Sequence, residues 1–208
     1  MGLISGSGSF TRYWVDSSLP QDFMEELPGK IARYAFKSLE ENSFEERSIG
    51  WVNIMDILDN RFNAMEYLKE PFLAMSFRVD KRKVPQTALK QCCQEAEEKI
   101  MELEKLEFLP KMTRQDIKED ARNRLLKRAI PVSNAYDMIW NIQNGTLIFG
   151  SVNNKLCDEF SEFFLKTFDL HLQPVFPYAL ACRFLEKEGG STDILDGLLS
   201  LNVSGEPV

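Results

Sequence analysis

The chain has 208 residues, with 32 acidic and 25 basic side chains and a formal net charge of −7. A hydrophobic fraction of 44%, which includes 15 Phe and 3 Trp, can form a sizeable core and excludes a wholly disordered chain. The single histidine excludes a multi-histidine metal site, and no apolar run approaches the roughly 18–20 residues that span a bilayer. Four cysteines without a Cys-x-x-Cys pair are typical of a reducing cytoplasm, where we expect the protein.

The first part of the sequence predicts strands and short helices. Strands are predicted at 10–15, 49–52 and 71–80, where β-branched and aromatic residues cluster. A helical patch begins at Phe23, and Pro28 suits the first turn of a second helix that carries Ile31 and Leu39. Residues 53–70 show no regular pattern.

The middle of the sequence predicts two long helices. The first covers 86–108 and the second 113–129, with Thr113 as the N-cap of the second. One side of the first helix carries an apolar seam with coiled-coil spacing, which consists of Leu89, Cys93, Ala96, Ile100 and Leu103. Because only a few residues around Pro110 join the two helices, we expect a long antiparallel helical hairpin at about 86–129.

The last part of the sequence predicts a β-hairpin, a helix and an edge strand. Asn144-Gly145 separates two apolar runs and is a strong signal for a hairpin turn. A Phe-rich helix at 154–168 precedes a strand at 172–181, and a short helix with a frayed end follows. We therefore expect an α+β fold with mixed or antiparallel sheets, as a single domain over 1–188 with a C-terminal tail at 189–208.

Few residues fit a catalytic pattern. Gly6-Ser7-Gly8 precedes a predicted strand and lacks a following Gly-Lys-Ser/Thr, so we interpret it as a lead-in and not as a phosphate loop. Glutamates on the first long helix would have to converge with other elements to hold two metal ions, so an exposed acidic face is the better interpretation. These are Glu95, Glu97, Glu98, Glu102 and Glu104. We interpret His171 as structural and Cys157 and Cys182 as buried small hydrophobes, and we expect no metal, no cofactor and no enzymatic activity.

Basic charge is confined to two blocks. Residues 78–90 hold five basic and one acidic residue, and residues 111–128 hold seven basic and three acidic residues, so each block has a net charge of +4. Residues 91–110 between them carry a net charge of −4. If the hairpin is antiparallel, the end of its second helix returns toward Lys81–Lys83, and the two blocks share a face.

Two interpretations of these blocks remain open on charge alone. Lys and Arg on one face neutralise phosphates and release counterions, which gives affinity for nucleic acid without sequence preference. No recognition helix with base-reading residues is evident, so direct readout is not implied. Solvated helix faces with Glu–Lys and Asp–Arg pairs are the more common explanation of such blocks.

Several stretches in a fixed order resemble the RdgC family of recombination-associated bacterial DNA-binding proteins. The resemblance runs from about residue 9 to 181. The matching stretches are Ile49-Gly50-Trp51-Val52, Arg78-Val79-Asp80-Lys81-Arg82-Lys83-Val84-Pro85, Leu125-Leu126-Lys127-Arg128-Ala129, Met138-Ile139-Trp140-Asn141-Ile142 with Asn144-Gly145, and Leu172-Gln173-Pro174-Val175-Phe176-Pro177. The chain resembles a shortened member of this family.

The resemblance implies a mixed α/β protein that dimerises and holds double-stranded DNA without sequence preference. It also implies nucleoid association in the cytoplasm, no membrane partner, and a role in limiting recombinase access through the shared DNA. The predicted phosphate contacts are Arg78, Lys81, Arg82, Lys83, Arg114, Lys118, Arg122, Lys127 and Arg128. A metal-dependent DNA exonuclease and a dimerisation module without DNA binding are the alternative functions.

Overall fold

The computed structural model describes residues 3, 6, 8–15, 19–41 and 43–197. Its helices are α1 (Phe23–Arg33), α2 (Gln86–Glu104), α3 (Lys111–Arg128), α4 (Asn154–Phe168), α5 (Pro177–Glu188) and α6 (Asp193–Asp196), with a 3₁₀ turn at Asn63–Met65. Its strands are β1 (Thr11–Val15), β2 (Arg47–Val52), β3 (Leu68–Lys69), β4 (Phe72–Lys81), β5 (Val132–Asn141), β6 (Thr146–Phe149) and β7 (Leu172–Pro174). No helix in these ranges is long and apolar enough to cross a membrane.

The strands form one sheet in the order β2-β4-β5-β6-β1-β7, with β3 beside β4. The pairings β1–β6, β1–β7, β2–β4, β3–β4 and β5–β6 are all antiparallel. This architecture confirms the predicted α+β class. Gly145 has φ +73° in the turn between β5 and β6, as the Asn-Gly hairpin signal predicts.

The chain divides into two compact units. The first unit consists of Met1–Lys30, Tyr67–Ala74 and Asp137–Val208, and the second of Ile31–Glu66 and Met75–Tyr136. The division of the chain into a domain over 1–188 and a tail over 189–208 stays a prediction.

The core of the first unit is aromatic. Phe160 of α4 stacks on Phe149 of β6 with ring centroids 3.8 Å apart. Trp140 of β5 is fully buried and makes edge contacts with Phe23 and Phe164 at 5.6 and 5.4 Å. Edge-to-face geometry of this kind adds stabilisation to the burial of the rings. The Phe-rich face predicted for α4 is therefore confirmed.

The second unit has its core on β2 and β4. Trp51 and Phe77 are fully buried, and their rings meet edge to face at 6.0 Å. The segment after α1 runs beside β2, because the Trp51 amide donates to the Tyr34 carbonyl and the Phe36 amide donates to the Trp51 carbonyl. Gly50 permits this approach, since a Cβ atom there would collide with the backbone of Phe36.

The predicted break of the first helical region at Pro28 is wrong. One helix, α1, continues through Pro28 and ends at Arg33. A proline inside a helix removes one backbone hydrogen bond. Phe23, Leu27 and Ile31 recur every four residues and are all buried, so the buried face of α1 offsets that loss.

The predicted strand at 172–181 is also wrong beyond its first residues. β7 ends at Pro174, and α5 begins at Pro177. Pro177 occupies the first turn of α5, where its missing amide costs no helical hydrogen bond. The predicted short C-terminal helix is confirmed as α6. The predicted frayed end after it, and Ser7 of the predicted lead-in, lie outside the residues that the structure describes.

The two long helices are confirmed with different ends. α2 stops at Glu104 because Lys105 adopts a left-handed conformation, φ +51°, and donates its amide to the Met101 carbonyl. α3 begins at Lys111 and not after Thr113, since the Pro110 carbonyl already accepts from the Arg114 amide. Leu103, predicted as part of the apolar seam, is exposed. The helices contact each other, and their antiparallel hairpin geometry stays a prediction.

Candidate nucleic-acid interface

The predicted phosphate contacts all lie in the second unit, but they occupy different environments. Lys81 ends β4 opposite Arg47 of β2 and is exposed, as is Lys83 two residues later. Among the described residues, neither lysine forms an ion pair. Both side chains are therefore available to an anionic partner.

Arg82 lies between these lysines and points into the protein. Its side chain is 6% exposed and donates to the Ser43 carbonyl at 3.2 Å and the Glu40 carbonyl at 2.8 Å. Its backbone amide donates to the Glu46 carbonyl at 2.8 Å. Arg82 thus binds Glu40, Ser43 and Glu46 and offers no guanidinium to a phosphate, so it does not belong to the interface.

The Arg78 side chain also binds other residues of the protein. Its guanidinium makes a bidentate pair with Asp80 at 2.8 and 2.9 Å and donates to the Ile57 carbonyl at 2.7 Å. It lies 4.1 Å above the centre of the Phe36 ring and donates to Ser133 at 3.1 Å. These contacts use four of the five guanidinium N–H donors, which is typical of a structural arginine.

The cations of α3 divide between two sides of the helix. Arg114, Lys118 and Arg122 recur every four residues and form one stripe. Lys127 is five residues after Arg122, which rotates it by about 140° around the helix axis. The charge pattern of α3 therefore favours a basic stripe over a helix that is basic all round, because Asp116, Glu119 and Asp120 lie away from that stripe.

The stripe borders a groove between α2 and α3. The groove has a volume of about 410 Å³, and its lining includes Leu89, Lys90, Glu97, Arg114 and Lys118. Arg114 approaches Glu97 with a nitrogen–oxygen distance of 3.8 Å, whereas Lys118 forms no ion pair within the described ranges. Lys90 is exposed beside the stripe and was not among the predicted contacts.

Lys111 is another cation that the predicted set lacks. It lies seven residues before Lys118, close to two helical turns, so both occupy one side of α3. Helical spacing could have identified Lys111 from the sequence. Lys90 could be placed only by the contact between the two helices.

The segment 43–46 brings the two basic blocks together. Arg82 of the first block holds this segment through Ser43, as described above. From the second block, Arg122 pairs with Glu46, and the Lys127 ammonium lies 4.5 Å from the centre of the Phe44 ring. Both blocks therefore contact one short segment, and a shared face for their exposed cations stays a prediction.

The carboxylates of α2 form a polar face. Gln91 donates to Glu95 at 3.0 Å and Gln94 donates to Glu98 at 2.9 Å, each across one helical turn. In the part of the chain that the structure describes, no group of three or more His, Cys, Asp or Glu side chains is placed to hold a metal ion.

Cys157 is buried as predicted, whereas Cys182 is only half-buried and His171 is exposed before β7.

Comparison with known protein families gives one match over most of the chain. The matched family is described as "Putative exonuclease, RdgC", and the match covers residues 12–181 of 208. A search of curated proteins finds no match. The matched residues include every element from β2 to β7 and both basic blocks. The chain therefore belongs to the RdgC family, which supports a recombination-related function.

Proposed function

We propose that the protein binds double-stranded DNA through its phosphate backbone, without sequence preference. The observation that carries this proposal is the set of exposed cations that form no ion pair in the described part of the second unit. From the predicted contacts these are Lys81, Lys83, Lys118, Lys127 and Arg128. Flexible ammonium and guanidinium groups of this kind neutralise phosphates without reading base edges.

A salt titration tests the phosphate-backbone mode directly. With about five phosphate contacts, the logarithm of the association constant should fall with the logarithm of salt concentration at a slope of about −4.5. Binding of two labelled duplexes of unrelated sequence, measured by fluorescence anisotropy, should give the same slope and similar affinities. A slope near zero, or strong preference for one duplex, contradicts the proposal.

A homodimer would strengthen this binding by avidity. The loop between α2 and α3 and its flanks expose large apolar side chains that include Leu103, Phe108 and Met112. Exposed apolar side chains clustered in this way are typical of an interaction surface, and we propose that two copies associate there. A dimer would place two basic faces on one duplex and occupy DNA that a recombinase also needs. Nucleoid association in the cytoplasm follows from the same binding.

The printed family description makes nuclease activity the first alternative. We propose that this chain is a binding protein and not an enzyme. Incubation of the purified protein with end-labelled linear duplex and Mg²⁺ or Mn²⁺ separates the two functions. Binding without shortened products is the expected result, and metal-dependent shortening would favour the exonuclease.

The second alternative is a dimerisation module that does not bind DNA, for which the apolar side chains around the α2–α3 loop are the relevant observation. Light scattering and the anisotropy titration on the same sample distinguish it. A dimer that leaves duplex anisotropy unchanged at low salt would favour the module.

A further inference from the structure

Trp14 has a different environment from the other two tryptophans. Along β1, Tyr13 and Val15 are buried, whereas Trp14 between them is only half-buried. Alternating residues of a strand point to opposite faces of the sheet, so Trp14 lies on the face opposite to Tyr13. Gln173 of β7 is its direct cross-strand neighbour and shares that face.

One side of α5 completes a pocket around this tryptophan. The pocket has a volume of about 500 Å³ and is lined by Trp14, Gln173, Tyr178, Arg183 and Glu186, among others. Arg183 and Glu186 are three residues apart and therefore share one side of α5. The Arg183 guanidinium lies 3.7 Å from the centre of the Trp14 ring, a close cation–π contact.

We propose that this pocket binds one unpaired base of single-stranded DNA, stacked on the Trp14–Arg183 pair. The proposal rests on the DNA-binding function proposed above and adds a second site in the first unit. Aromatic rings and guanidinium groups are the surfaces on which unpaired bases stack in proteins that bind single strands. A volume of about 500 Å³ also leaves room for a planar base beside the pair.

The polar side chains at the pocket favour a base over a phosphate. Glu186 would repel a phosphate, but its carboxylate can accept from an N–H group of a base edge, such as the N3–H of thymine. Gln173 can both donate to and accept from a base edge. Charge around the pocket is thus balanced between Arg183 and Glu186, unlike the basic stripe of α3.

Tryptophan fluorescence reports on this pocket with little background. Trp51 and Trp140 are 0% exposed, so contact quenching by a short oligonucleotide should come from Trp14. Oligothymidylate should quench the emission, and an abasic oligomer of equal length and charge should not. Equal quenching by the abasic oligomer, or no quenching by oligothymidylate, would overturn the proposal.

Two variants of α5 complete the experiment. Arg183→Ala removes the stacking cation, and Lys187→Ala removes an equal charge from an exposed position of the same helix. Arg183→Ala should weaken oligothymidylate binding at least about fivefold, whereas Lys187→Ala should change it less than twofold. Equal effects of the two variants would contradict a stacking role. Trp14→Leu, followed by anisotropy of a labelled oligothymidylate, should weaken binding to the same degree as Arg183→Ala.

Duplex binding measured on the same samples separates this inference from the proposed function. If the duplex binds and oligothymidylate fails to quench, the pocket proposal is overturned and the phosphate-backbone proposal stands. If oligothymidylate quenches and the duplex does not bind, the base pocket is supported and the duplex proposal is contradicted.

Discussion

Replacement of Lys81 and Lys83 tests the proposed DNA interface directly. Both are exposed without an acid partner in the described structure, and the buried Arg82 between them keeps its contacts when they are replaced. Lys81→Glu with Lys83→Glu should therefore leave the fold intact and remove two phosphate contacts. Lys99→Glu with Lys155→Glu is the matched control, because it makes the same change in net charge at exposed positions outside the proposed interface and outside the α2–α3 loop.

The expected change in DNA affinity follows from the salt dependence of phosphate contacts. Five contacts predict that affinity falls about 500-fold between 50 and 200 mM salt, and three contacts predict a fall of about 40-fold. The slope should therefore change from about −4.5 to about −2.7 in the Lys81/Lys83 variant. Affinity at low salt should also fall by more than tenfold, because each contact is replaced by a repulsive carboxylate.

Anisotropy titrations at several salt concentrations measure both quantities, and thermal unfolding checks that the variants are folded. The control variant should keep the original slope and lose affinity only through the change in overall charge. If both variants reduce affinity equally with an unchanged slope, the lysines act through net charge alone, and the proposed interface is refuted.

Three further predictions test individual contacts. Arg82→Ala should destabilise the protein by about 2–4 kcal/mol in urea unfolding, because the Glu40 and Ser43 carbonyls lose their charged donor and a buried side chain is removed; wild-type stability would refute that role. Gly50→Ala should destabilise the fold or prevent it from forming, since its Cβ would collide with Phe36, and an unchanged melting temperature would contradict this close approach. Phe108→Asp should shift the oligomer toward the monomer in light scattering with an unchanged circular dichroism spectrum; an unaltered dimer would exclude the α2–α3 loop as the contact.

The elements with a clear periodic pattern could be predicted from the sequence. β4 and α4 were predicted to within a residue or two, because alternation and four-residue apolar spacing each report directly on a buried face. The errors lie at prolines. Pro28 allows both a helix start and a helix interior, and Pro177 allows both an edge strand and a helix start; tertiary burial decides between them.

The candidate site shows a different limit of sequence reasoning. Local charge density identified both basic blocks, but it could not separate exposed cations from structural ones. Arg82 lies between Lys81 and Lys83, and Arg78 lies three residues before Lys81, yet partners of these arginines are up to 55 residues away, as with Arg78 and Ser133. Such partners depend on the folded chain, so no local pattern could have removed Arg82 from the predicted contacts. Arg78 and Asp80, by contrast, are two residues apart on one strand and share a face, which could have indicated their pairing.

The ion pairs in the second unit must be weighed by burial before they count against DNA binding. Arg78 and Asp80 are only 12% and 3% exposed, and separating this pair would leave a charge without solvent or partner. Arg122 and Glu46 are about half-exposed, at 54% and 48%, where an ion pair is worth about 0–1 kcal/mol. DNA binding releases counterions that were condensed on the phosphates, and this gain in free energy competes readily with so weak an ion pair. The ion pairs of Arg122 and the similarly exposed Arg114 therefore do not count against DNA binding, whereas Arg78 stays paired with Asp80.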